Sequence, residues 1–95
     1  MTRGYIVLCN GYATEKYSWS YPDEERRAWN NVVYKTLDKA KAAVAEACKE
    51  YCRRCCGKCE ITEDRPTKKI IRVTEHGEEA CTVEYYIYSL DIDEE

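Results

Sequence analysis

The segment LDKAKAAVAEACKEYCRRCCGKC, residues 37–59, decides how the rest of this chain folds. Leu37, Ala40, Val44, Ala47, Cys48, Tyr51, Cys52 and Cys55 recur at three- and four-residue steps, which is the spacing of one face of an α-helix. Asp38, Lys39, Lys41, Glu46, Lys49, Glu50, Arg53 and Arg54 fall on the other side. Thr36 is suited to the N-cap, and Asp38 places an acid in the first turn. The full capping box is absent, because the third helical position is Lys39. Gly57 has the character of the residue just past a helix C-terminus. The spacing predicts a helix from 37 to 55 or 56.

On either side the period changes to two. GYIVLCNGY (4–12) is expected to be a buried strand ending at the Asn10-Gly11 turn signal. KYSWSY (16–21) alternates rings with serines and is expected to be a short strand. PDEERRAWN (22–30) is expected to be a connector that could open a short helix at Pro22. NVVYKT (31–36) supplies β-branched residues for another strand. TKKIIRVTE and ACTVEYYIYSL flank HGEE, a hairpin signature centred on Gly77. In the last strand Cys81, Val83, Tyr85 and Ile87 share one face, while Glu84, Tyr86 and Tyr88 share the other. These elements give a single α+β domain over residues 1–95, one helix packed on a mostly antiparallel sheet in the order β(β)αββ, with residues 91–95 as an acidic tail. One helix covers only one sheet face, so the other must carry tyrosines, threonines and charges.

The helical stripe also bears on the cysteines, five of whose seven members lie within residues 48–59. A free cysteine behaves as a small hydrophobe, so core packing accounts for Cys48, Cys52 and Cys55 without further assumption. Cys52-x-x-Cys55 and Cys56-x-x-Cys59 each have the spacing of a zinc-ligand pair. The pairs are contiguous, however, whereas structural sites separate them by a dozen or more residues. If a metal is present, Cys52, Cys55, Cys56 and Cys59 are its candidate ligands; a set of Cys55, Cys56 and Cys59 with Cys9, Cys81 or His76 is a variant. A thioredoxin-like pair would sit at a helix N-terminus, where the dipole favours the thiolate, and this cluster lies at the other end. Disulfides from Cys56 or Cys59 to a strand cysteine would need an oxidising compartment. The expectation is reduced thiols with no metal and no cofactor; a zinc-stabilised, cysteine-rich module is the alternative.

Little else has the pattern of chemistry. His76 sits in a tight turn with no Ser-His-acid or Cys-His grouping, and no phosphate-loop, dinucleotide, HExxH or EF-hand pattern occurs. The chain is expected not to be an enzyme. No apolar run is long enough to span a bilayer, and MTRGYIVLCNGY is better suited to a first strand than to an export signal, which points to the cytoplasm. The net charge is −3, with eight acids and no Lys or Arg in residues 73–95, against eight bases and four acids in residues 49–72. Such a balance argues against general nucleic-acid binding.

The nine tyrosines and two tryptophans, with no phenylalanine, suit half-exposed faces and interfaces. Tyr17, Trp19, Tyr21, Tyr86 and Tyr88, rimmed by Glu84, form the candidate protein-binding residues, and the acidic rim points to a partner with a basic surface. The same rings with Tyr34, Lys68, Lys69 and Arg72 could instead stack single-stranded nucleic acid, although Glu75, Glu84 and Asp91 interleave. VVYKTLDKAKAAVAEA (32–47) resembles the strand-to-helix unit of many small phage and mobile-element proteins, anti-CRISPR inhibitors among them. That resemblance implies a short, acidic, single-domain viral protein, located in the host cytoplasm, that binds a host protein through one face. It assigns no functional residue.

Overall fold

The computed structural model describes residues 2–17, 19, 24–28, 32–55 and 57–92. Five strands form one antiparallel sheet: β1 (Thr2–Ala13), β2 (Glu24–Ala28), β3 (Lys58–Arg65), β4 (Lys68–Glu75) and β5 (Glu78–Ile92). Their spatial order is β2-β1-β5-β4-β3, and the single helix α1 (Leu37–Arg54) packs on β1 and β5. The chain is therefore an α+β domain of order ββαβββ, one strand richer after the helix than the expected β(β)αββ. No described helix is long and apolar enough to cross a membrane.

The helix forms as its stripe predicts. The Thr36 hydroxyl accepts a hydrogen bond from the Lys39 N–H at 3.2 Å, and Asp38 sits in the first turn with Arg53 and Arg54 in the last. Ala40, Val44, Ala47 and Cys48 are buried. The small side chains let the helix lie close on the sheet. It ends at Cys55, whose N–H bonds the Tyr51 carbonyl at 3.1 Å in extended backbone, so Gly57 is not a left-handed cap. Gly57 is needed for a different reason. A Cβ there would lie 2.7 Å from the Thr74 carbonyl oxygen and from Glu75 Cγ, because the chain crosses tightly over β4 as β3 begins.

Several strand expectations change. β1 runs through Asn10 and Gly11 to Ala13, with a register shift against β2 between Cys9 and Gly11 where a turn was expected. A bulge lets the chain bend without leaving the sheet. Glu15–Tyr17 forms a 3-10 turn rather than a strand, while Tyr21 lies outside the described residues. The expected connector instead holds β2, Glu24–Ala28. Tyr34 makes an isolated bridge to Tyr5, paired by N–H···O bonds of 2.9 and 2.8 Å, so the strand expected over 31–36 shrinks to one contact. Cys59, beyond the end of the helix, belongs to β3 and pairs with Val73.

The β4–β5 hairpin is as expected. His76 and Gly77 have φ of 52° and 77°, the paired left-handed conformations of a tight two-residue turn. Its register sets the faces: Val73 pairs with Cys81, Ile71 with Val83, and across β1 Cys9 pairs with Tyr85 and Val7 with Ile87. These residues face the helix, and Val7, Ile71 and Val73 are fully buried.

Candidate functional site

The sheet face turned away from α1 has no covering layer among the described elements, and it carries the candidate residues of β5. Strand alternation sends Glu84, Tyr86 and Tyr88 to this face while their neighbours Val83 and Tyr85 enter the core at 5% and 4% exposure. Register supplies the company they keep. Tyr88 stands opposite Ile6, and Tyr86 opposite Leu8 on one side and Lys68 on the other. Glu84 lies between Asn10 and Ile70, and Thr82 between Tyr12 and Arg72.

Two contacts orient the Tyr86 ring. The Lys68 ammonium lies 5.3 Å from its centroid, a cation–π distance. The Tyr86 hydroxyl donates to a Glu84 carboxylate oxygen. Tyr86 is half-buried as a result, while Tyr88 and Tyr12 stay 59% and 54% exposed. Charges around the rings are paired: Lys68 lies 3.6 Å from Glu63, Arg65 2.8 Å from Glu63, and Arg72 3.9 Å from Glu79.

The other aromatic candidates lie elsewhere. Tyr17 packs against the core, and its hydroxyl donates to the Glu75 carbonyl at 3.2 Å. Lys16 beside it contacts Glu78 at 2.8 Å. That hydrogen bond and charge hold the Glu78 carboxyl below its ordinary range and raise the Lys16 ammonium. The 3-10 turn is thus pinned to the β4–β5 hairpin. Trp19 is 97% exposed in the turn that follows. Between Ala13, which precedes this turn, and Ile6, opposite Tyr88, β1 rises roughly 23 Å. Tyr86, Tyr88 and Glu84 therefore come together, while Tyr17 and Trp19 gather at the hairpin end of the sheet.

The cysteines form a layer between helix and sheet. Cys9, Cys48 and Cys81 are buried, and Cys52, Cys55 and Cys59 are half-buried against the same core; none of the six forms a disulfide. Burial pushes the Cys48 thiol up to about 11. Burial also raises the Cys59 thiol, as does hydrogen bonding to the Cys52 and Cys55 thiols. The Tyr51 hydroxyl lies 3.0 Å from the Cys81 sulfur, partly offsetting the rise that burial causes there. These shifts favour protonated thiols, the form that neither attacks nor ligates. Among the described residues no group of three His, Cys, Asp or Glu side chains is arranged to hold a metal ion, and Cys56 lies outside them.

Sequence reasoning missed Ile6, Leu8, Tyr12 and Ile70 as companions of the tyrosines. Their place depends on cross-strand register, which no local pattern encodes. Comparison with known protein families, characterised proteins and solved structures returns no match to this chain.

Proposed function

We infer that this protein is a non-enzymatic binding module, an inhibitor or adaptor that occludes a surface of a partner protein. The observation that carries this reading is the open sheet face, where Tyr86, Tyr88 and Tyr12 project beside Ile6, Leu8 and Ile70 without a covering layer among the described residues. Tyrosine gives large contact area at low rotamer cost, and a ring already held by Lys68 and Glu84 loses little freedom on docking. Lys68, Arg65 and Arg72 on the face already meet Glu63 and Glu79, so aromatic contact supplies the affinity. The net charge of −3 favours a partner with a basic surface, and a nucleic-acid-processing complex of a host defence system has one. That target class also agrees with the resemblance of residues 32–47 to phage and mobile-element inhibitors.

Stacking of single-stranded nucleic acid draws less support. Lys69 alternates to the helix side of the sheet, and Lys68 and Arg72 already face acids. The deciding experiment is affinity capture from nuclease-treated host lysate with the wild-type chain and with a Tyr86→Ala/Tyr88→Ala double variant. The expected result is a protein partner retained by the wild type and lost by the folded variant. Retention of the same partner by both would place the interface elsewhere.

A further inference from the structure

A second surface lies on the opposite side of the sheet, where α1 stops short of β3. Because the helix rests on β1 and β5, none of the described residues covers the helix-facing side of β3 beyond Cys59, and Ile61 is 47% exposed. The gap is a cleft of about 480 Å³ whose apolar lining is Ala42, Ala45, Cys48, Cys52 and Ile61. Lys49, Lys69 and Glu46 stand at its mouth. A second cleft of about 450 Å³ shares Ala45 and Lys69 with the first and adds Val44 and Ile87 with Lys41, Arg65, Lys68 and Asp64. The two adjoin at Ala45 and Lys69, and their helical lining spans residues 41–52, roughly 16 Å at 1.5 Å per residue.

Charge and hydrogen bonding select the occupant. Lys41, Lys49 and Lys69 border this trough against Glu46 and Asp64, with Arg65 already paired to Glu63 at 2.8 Å, which leaves a cationic rim on a chain whose net charge is −3. Lys41 and Lys49 have no ion pair among the described residues, and Lys69 is 23% exposed with its nearest acid, Asp64, at 3.6 Å. One wall is a helix with its own backbone satisfied, and the floor is side chains. A peptide laid here would leave its amides unpaired against an apolar surface. An alkyl chain has no such groups to satisfy. We propose that the cleft between α1 and β3 binds a medium- or long-chain carboxylate, its alkyl chain over Ala42, Ala45 and Ile61 and its head group between Lys49 and Lys69. The size falls in the ordinary range of small-molecule clefts, mostly apolar with a few charged groups that fix orientation. The lining of the first cleft, which holds the chain and the head group, shares no residue with the tyrosine face.

The test is an amide-resolved NMR titration of the full chain with dodecanoate below its micelle concentration, with dodecyltrimethylammonium in parallel. Saturable shifts confined to residues 41–52 and the neighbourhood of Ile61 and Lys69 are expected for dodecanoate alone. A Lys49→Glu/Lys69→Glu variant should weaken dodecanoate at least tenfold, and Ala45→Trp, at an exposed helix position, should block it while the fold persists. Equal binding of the cationic amphiphile, shifts on the Tyr86–Tyr88 face, or no saturable shift would overturn the assignment. So would binding to phosphatidylglycerol vesicles without binding of dodecanoate, since that would identify a bilayer surface as the ligand.

Discussion

Tyr85 and Tyr86 are adjacent in the chain and chemically identical, yet one is 4% exposed in the core and the other stands on the open face beside Lys68. Nothing intrinsic to the residue separates them. Strand alternation turns them to opposite sides, and the helix covers only one of those sides. The covered face is built from Val7, Ile71, Val73, Val83 and a layer of small sulfur-bearing side chains, with charge confined to its β3 margin at Lys69 and Asp64. The open face mixes rings, aliphatics and paired ions. The covered face holds the fold together, and the open one remains available for contact. The difference can be tested by substitution on each side.

The largest contrast should come from truncating the two tyrosines. Tyr85→Ala should cost about 3–5 kcal/mol, as a buried aromatic removed from a packed core does. Tyr86→Ala should cost about 1 kcal/mol or less in stability, because it forfeits a part-exposed cation–π contact and one hydrogen bond. Urea denaturation of both variants measures this directly, and similar losses would mean that the open face is part of the core. Gly57→Ala comes next, at about 1–3 kcal/mol. Its Cβ would meet the Thr74 carbonyl at 2.7 Å, and backbone cannot swing aside as a side chain can.

The two faces were unequally legible in the sequence. The covered one was readable because helix stripe and strand alternation are local, as were the Thr36 cap and the His76-Gly77 turn. Cys48 was placed in the core by its spacing alone. β3 was missed because an edge strand tolerates charge, and KCEITEDR alternates cleanly only up to Ile61, after which a register shift breaks the period. With β3 missing, the α1–β3 cleft could not be foreseen. The grouping of Tyr17 and Trp19 with Tyr86 and Tyr88 failed for a related reason: residue type marks an aromatic as interface-prone, but strand length sets where it ends up.

Burial of sulfur gives the covered face a pH signature. The Cys48 thiol is raised from 9.0 to about 11 in the folded state. The native chain therefore holds this proton at pH values where the unfolded chain has released it, and stability falls as pH rises from about 9 through 11. The loss attributable to Cys48 should reach about 2 kcal/mol and be fully absent below pH 8. Cys59 and Cys81 shift in the same direction, so the measurement is a difference: Cys48→Val should flatten the alkaline limb of the stability curve relative to the wild type. An unchanged limb would show that the thiol at position 48 is solvated.

The smallest effect concerns the turn that keeps the faces distinct. A slip of one residue in the β4–β5 hairpin would send Tyr85 out and Tyr86 in, so the His76-Gly77 turn selects which ring is buried. His76 has φ of 52°, a left-handed conformation that costs a histidine more than it costs asparagine. Its side chain is exposed, so little packing is at stake. His76→Asn should therefore stabilise the protein by about 0.5 kcal/mol, since Asn-Gly is a favoured pair for this turn. Amide exchange at Val83, Tyr85 and Ile71 should slow in proportion, because those bonds open with the hairpin. A destabilised variant would mean that the imidazole has a role in holding the turn beyond its backbone geometry, and that register is set by contacts farther along β5.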